Sequence, residues 1–334
     1  SEQPQNNYGI ALNVGPYEVL KDTYQSRYGH EYPLVFYYLE GKKAEAEKLF
    51  NEFSEQLDFY EDVIGPYPFY AEKMGVVETP HLGMEHQTIN AYGQEYKAGK
   101  YNFDWLLHHE LAHEWFGNQV TNTDWDHMWL HEGFGAYMQP LYGQYLHGDF
   151  AYHSMMYDSR IGIRNEHPVV SNKPMSEDDV YKADRGPGSD IYQKGAWILH
   201  TLRNLIGDDD FFAATRKLVY QTTDPKPGNF EPHFADSQDF IDAVNEQTGE
   251  DFTWFFEHYL YTAKLPELVG EQEGSKLSLH WKTFSEAPFE LPVEVKVVDT
   301  ISTVVVGKEP VQVELPTDNA HYVLDPLHKI LKQE

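Results

Sequence analysis

A chain of 334 residues that is 41% hydrophobic and 15% aromatic can bury a sizeable core and is long enough for two domains. Its 54 acidic and 25 basic residues leave a formal charge of −29, which repels nucleic acid and anionic membrane. The chain has no cysteine, which excludes disulfides, thiol catalysis and thiolate metal ligands. No apolar run reaches the roughly eighteen residues that span a bilayer. The chain starts at Ser1 and not at Met; this implies a removed upstream part, and leaves cytoplasmic, periplasmic and extracytoplasmic locations equally open. The acidic balance suits solubility first, and it mildly attracts cationic groups such as a peptide's free ammonium.

In chain order, residues 8–40 read as strands. Tyr8 to Val14 leads into a Gly15-Pro16 turn, and Pro33 to Leu39 is a second run rich in β-branched and aromatic residues. Lys42 to Tyr60 is an amphipathic helix, because Leu49, Phe50, Phe53, Leu57 and Tyr60 recur at three- and four-residue spacing. Gly65-Pro66 ends it. Lys73 to Glu78 and Gly83 to Ala91 read as strands. Helices are expected over 102–116 and over 127–146, where Pro140 could introduce a kink. Residues 164–190, rich in Pro, Gly and Asp, read as a long irregular connection, a type of segment that is often functional. Helices resume over 191–206, 209–220, 237–248 and 252–261. Beyond Pro266 the pattern alternates, as in Lys276 to Trp281 and Val293 to Val298. That stretch is too short for a large sheet and suggests a small β-sandwich.

The chemistry concentrates in His109-Glu110-Leu111-Ala112-His113, followed by Glu132. Histidines at i and i+4 on a helix share a face and can reach one metal ion. Glu110, next in sequence to His109, points beside the metal, and Glu132 on the following helix can supply a third ligand. Three protein ligands leave one position open for water, as in a catalytic zinc site. His108 must point away from the metal and reads as structural. Asp124 and Asp126 could hold the outer imidazole nitrogens, and they suit helix capping equally well.

Four segments resemble, in order, the zinc aminopeptidases of the aminopeptidase N and leukotriene-hydrolase family, a gluzincin group. Leu82-Gly83-Met84-Glu85-His86 resembles GxMEN, with Leu82 and His86 as departures. His109 to Asn118 resembles HELAHQWFGN. Trp129 to Tyr137 resembles WLNEGFASY, with His131 in place of an asparagine. Tyr192 to Ala196, YQKGA, resembles the YxKGA segment. The resemblance implies an α+β fold: a thermolysin-like zinc peptidase catalytic domain, with a mixed sheet followed by a helical lobe, over 1–266, and a small C-terminal β-sandwich over 267–334. It also implies that a β-rich domain accompanies this region on its N-terminal side, with Tyr8 to Val19 as the exit.

What the resemblance implies for the site is one zinc ion per chain on His109, His113 and Glu132, with Glu110 as general base and Tyr192 as donor to the oxyanion. Glu85 would pair with the α-ammonium of a peptide with a free N-terminus, and the backbone of Gly83 and Met84 would hold that peptide in β fashion. The plainer alternatives are a packed tyrosine at 192 and a solvated strand-edge glutamate at 85. His81 and His86 read as pocket lining or surface. The expected function is removal of N-terminal residues from peptides. The alternatives are a thermolysin-like endopeptidase, which would not need Glu85, and a truncated chain that binds but hardly turns over.

Overall fold

The computed structural model describes residues 3–97, 99–226 and 230–333. Strand β1 (Tyr17–Gln25) pairs antiparallel with β2 (Glu31–Leu39). Helices α1 (Lys43–Phe50) and α2 (Glu52–Val63) follow, then β3 (Met74–Glu78), β4 (Gly83–Met84) and β5 (Asn90–Tyr92). These strands form one sheet in the order β1-β2-β3-β5-β4. The β2–β3 and β3–β5 pairs are parallel, in register Leu34 with Met74 and Val76 with Asn90. All five residues of β3 are buried, as expected for a parallel strand covered on both faces. Strand β4 pairs antiparallel with β5 and is left as the sheet's edge.

The helical lobe comprises α3 (Trp105–Ala112), the short strand β6 (Val120–Asn122), α4 (Trp129–His147), α5 (Asp149–Arg160), the single turn α6 (Glu177–Val180), α7 (Gln193–Ile206) and α8 (Asp208–Tyr220). Strand β7 (His233–Ala235), which runs parallel to β6, is followed by α9 (Ser237–Thr248) and α10 (Thr253–Tyr259). Two three-stranded sheets close the chain. One has the order β12-β9-β8 and the other β11-β10-β13, built from β8 (Glu267–Glu273), β9 (Lys276–Lys282), β10 (Leu291–Val297), β11 (Thr300–Val306), β12 (Val311–Glu314) and β13 (Tyr322–Leu324). Alternate residues Leu277, Leu279 and Trp281 of β9 and Leu291, Val293 and Val295 of β10 are buried, which is the inward-facing pattern of a small sandwich. The sandwich docks on the helices through Trp254 against Phe289 and through the Tyr259 hydroxyl, which donates to Leu331 O at 2.8 Å.

Several expectations need correction. Residues 10–14 form no strand: a short 3-10 turn spans Asn7–Gly9, and Ile10, Leu12 and Val14 beyond it are exposed. Their apolar character mimicked a buried strand, whereas the real edge strand β1 carries mostly exposed residues. The helix expected over 42–60 is interrupted at Asn51, which keeps helical dihedrals, and continues to Val63. Gly83 to Ala91 is two strands. Thr88, with φ of 61°, reverses the chain between them, and its N–H donates to the buried Glu114 carboxylate at 2.8 Å. Helix α3 starts only at Trp105, because Asn102 has left-handed φ and Asp104 caps the helix by accepting from Leu107 N at 2.9 Å. Helix α4 runs through Pro140, and α5 was not anticipated.

A candidate metal centre and its cleft

Two helices and a strand edge build the site. On α3, His109 and His113 lie one turn apart; His113 is the C-cap residue, but its φ of −68° and ψ of −14° keep it in helical phase. Their Nε2 atoms converge to 3.2 Å. Glu132, in the first turn of α4, places Oε2 at 3.2 Å from His109 Nε2 and 3.4 Å from His113 Nε2. A tetrahedron with metal–ligand bonds of about 2.0–2.1 Å has edges of about 3.3–3.4 Å. The three atoms are therefore spaced like one face of a zinc coordination tetrahedron.

The donor chemistry fits the same ion. His113 Nδ1 lies 2.9 Å from Phe116 O, so Nδ1 carries the proton and the Nε2 lone pair faces inward. Glu132 Oε2 is buried without a hydrogen-bond partner among the described residues, a costly state for a carboxylate oxygen that a cation relieves. Around His113 the opposing effect of burial is outweighed by the Glu85, Glu132 and Glu110 carboxylates, which favour positive charge against the ring. The surroundings are thus arranged to hold positive charge. Gly135 of α4 makes room for the imidazoles: a Cβ there would stand 3.2 Å from His109 Cε1 and 3.3 Å from His113 Cε1.

Glu110 is buried beside this face. Burial, opposed by His113 and reinforced by the Glu85 and Glu132 carboxylates, raises its pKa well above the usual range. The Glu85 and Glu110 carboxylates and a His113 ring nitrogen each offer an atom within 4.8 Å of the others. Glu85 is brought there by the edge strand. Asn118, at the end of the histidine segment, donates to Glu85 O at 3.1 Å, and Asn90 of β5 donates to Glu110 O at 3.1 Å. Gly83 lies so close to Glu110 that a Cβ would overlap the carboxylate, and it would stand 2.8 Å from Leu106 Cδ1. Any larger residue there would have to push the Glu110 carboxylate aside. The Tyr8 hydroxyl donates to Glu85 Oε1 at 3.3 Å.

Tyr192 immediately precedes α7 and donates to Glu132 Oε1 at 2.9 Å. Burial and the Glu132 carboxylate push its phenol well above the ordinary value, so it stays a proton donor. Tyr181, just after α6, donates to the same oxygen at 3.1 Å. A cleft of about 410 Å³ joins these groups, with Glu85, Glu110, Glu132 and Glu177 on its walls. A second chamber of about 450 Å³ opens beyond Trp105, His109 and Tyr192. Its charged lining residues, Lys100 and Asp158, pair with each other at 2.5 Å.

All eight expected site residues, Gly83, Met84, Glu85, His109, Glu110, His113, Glu132 and Tyr192, line this one cleft. His108 is structural: it is fully buried and stacked on Tyr142 at 4.5 Å. Asp124 and Asp126 contact neither imidazole. Asp124 accepts from Asp126 N and Met175 N, and Asp126 accepts from Ser171 N and Lys173 N, so together they staple the 164–190 connection. His81 is exposed and His86 is buried outside the cleft. Sequence reasoning missed Tyr8, Trp125, Tyr181 and Glu177. The only signal for Tyr181 and Glu177 was their position in a long Pro- and Gly-rich connection.

The α+β frame, with a two-histidine, one-glutamate metal face and a buried glutamate next to the first histidine, defines a zinc metallopeptidase domain of the gluzincin type. Residues 50–259 match the Peptidase family M1 domain, and the chain belongs to that family. It is 21% identical over 334 residues to probable aminopeptidase 1 of Saccharolobus solfataricus, covering 93% of this chain and 40% of that protein. It is 29% identical over 198 residues to leucine aminopeptidase 2 of Kluyveromyces lactis, covering 56% of this chain and 27% of that one. Among solved structures, it resembles Legionella pneumophila aminopeptidase A in complex with aspartic acid, with a TM-score of 0.73 and 17% identity over 93% of this chain and 37% of that one. It also resembles a mutant M1 zinc metallopeptidase from Deinococcus radiodurans bound to a Tyr-Ser-Ala substrate, with a TM-score of 0.64 and 24% identity over 79% of this chain and 56% of that one. The chain thus spans about two fifths or less of the curated relatives' length.

Proposed function

We propose that this chain is a zinc aminopeptidase that hydrolyses the first peptide bond of peptides with a free N-terminus. The observation that carries the reading is the position of Glu85: a buried carboxylate on an edge strand, within 4.8 Å of both Glu110 and His113. A carboxylate so near the metal face leaves one residue's length between a bound α-ammonium and the scissile carbonyl, and a charge-assisted pair in a dry site is strong and directional. An extended substrate can add to the free side of β4 through Gly83 and Met84.

His109, His113 and Glu132 would hold the zinc, which when bound polarises a carbonyl and acidifies water. Glu110 takes a proton from the attacking water as its oxygen bonds to the carbonyl carbon. It delivers that proton to the amide nitrogen as the C–N bond breaks. The Tyr192 hydroxyl shifts its hydrogen bond from Glu132 Oε1 to the oxygen that becomes negative. All of these groups precede α7, consistent with a catalytic unit over 1–266 and a separate β unit over 267–334.

Zinc-loaded protein should release naphthylamine from aminoacyl-naphthylamides, and a chelator should stop it. Glu110→Gln should keep the zinc and lose turnover; full activity in that variant refutes the mechanism.

A further inference from the structure

The cleft has a second wall that the reaction does not use. The Tyr8 ring packs against Trp125 at 5.5 Å between centroids, and Trp125 meets the Tyr181 ring at 6.5 Å. All three line the cleft together with Glu177, an exposed residue in the first turn of α6 that makes no ion pair among the described residues. Among the described residues, no lysine or arginine lines this cleft. The wall therefore presents π-faces and a free carboxylate, and its two tyrosine hydroxyls already donate to Glu85 and Glu132. The second chamber, beyond Trp105, His109 and Tyr192, mixes apolar residues such as Met155 and Met156 with Gln139, Ser159 and Gln193, and its Lys100 and Asp158 pair with each other.

Substrate polarity then decides which part meets this wall. With the α-ammonium at Glu85, whose Oε1 already accepts from the Tyr8 hydroxyl, the first residue sits beside the Tyr8–Trp125–Tyr181 wall. The side chain of the first residue is left facing Tyr8, Trp125, Tyr181 and Glu177. A guanidinium or ammonium on that side chain gains cation–π attraction from the rings and pairs with Glu177. A carboxylate there meets Glu177, the one wall glutamate that neither the metal nor the α-ammonium neutralises, and like-charge juxtaposition is a basis for rejection.

The geometry points to peptides with lysine or arginine as first residue as the preferred substrates, selected by Tyr8, Trp125, Tyr181 and Glu177, and to exclusion of peptides that begin with aspartate or glutamate. This rests on the reading of Glu85 as the anchor of the substrate ammonium.

The test is equilibrium binding to zinc-loaded Glu110→Gln protein, which cannot turn the probes over. The probes are argininamide, leucinamide, the α-amide of glutamic acid, and N-acetyl-argininamide. Argininamide should bind at least about tenfold more tightly than the glutamic acid amide. Adding Glu177→Gln, an exposed change that leaves the core untouched, should lower the argininamide-to-leucinamide affinity ratio severalfold. Equal or tighter binding of the glutamic acid amide, or an unchanged ratio in the Glu177→Gln background, overturns the proposal. N-acetyl-argininamide separates the two readings. If it binds as well as argininamide, the Glu85 anchor is wrong and the proposal falls with it. If the free amine is required but arginine is not preferred, only the proposal fails.

Discussion

Gly133 of α4 and Gly195 of α7 touch back to back: a Cβ on Gly133 would stand 3.1 Å from Gly195 Cα, and one on Gly195 would stand 2.9 Å from Gly133 Cα. Gly133 directly follows the metal-face glutamate, and Gly195 lies three residues after Tyr192. This crossing lets the Tyr192 hydroxyl reach Glu132 Oε1 at 2.9 Å. Replacing helix-interior glycine by alanine normally stabilises a helix by about 1 kcal/mol. Here the overlap is with backbone, which cannot rotate away, and overpacking of this kind costs about 1–3 kcal/mol. Gly195→Ala should therefore lower the melting temperature and reduce kcat while zinc binding, measured by metal analysis, is retained.

Gly83→Ala tests a different close approach. Its methyl group would displace the Glu110 carboxylate and press on Leu106. The expected result is a fall in kcat by an order of magnitude or more, about 1.4 kcal/mol in barrier, at unchanged zinc content. Unaltered kcat in steady-state assays would mean that Glu110 need not sit where it does.

Tyr192→Phe removes one hydroxyl from a site that remains packed. Loss of an oxyanion donor lowers turnover by about a hundredfold or more. The variant should keep its zinc and its KM within a small factor. Tyr181→Phe should cost less in kcat, because its hydroxyl reaches Glu132 Oε1 from the wall of the cleft, at 3.1 Å.

The histidine pair was legible because a period of 3.6 residues places positions i and i+4 on one face whatever surrounds them. Glu132, Tyr192 and Glu85 were legible as parts of motifs that carry their own local geometry, including Gly83, Gly133 and Gly195. The aromatic wall was not. Tyr8, Trp125 and Tyr181 lie far apart in the chain and on three short or irregular segments, and the connection that carries Tyr181 is held by Asp124, Asp126 and Asp190 through its backbone N–H groups. No periodicity encodes such a contact. For the same reason the exposed Ile10, Leu12 and Val14 passed for a strand: alternation reports side-chain character and says nothing of whether a partner strand is present.

A pH dependence unrelated to catalysis follows from His200 on α7. Its Nε2 lies 2.9 Å from His328 O and its Nδ1 2.6 Å from the Tyr152 hydroxyl, so the neutral ring is fully satisfied and ties the C-terminal segment to the helices. Burial lowers its pKa from 6.5 to about 4. A histidine with a depressed folded-state pKa contributes stability above its unfolded value and loses it as pH falls from about 6.5 to about 4, on the order of 3 kcal/mol in all. Melting temperatures measured across that range should fall with acid more steeply in the parent than in His200→Gln. Parallel curves would remove His200 as the cause.

The central claim is that Glu85 makes this metal centre specific for a free amino end. The most direct measurement compares kcat/KM of the zinc-loaded protein on one peptide with its N-terminus free and acetylated, in the parent and in Glu85→Gln. The account predicts chelator-sensitive cleavage of the free peptide only, and loss of most of that kcat/KM in Glu85→Gln with zinc retained. Cleavage of the acetylated peptide at a comparable rate would contradict it.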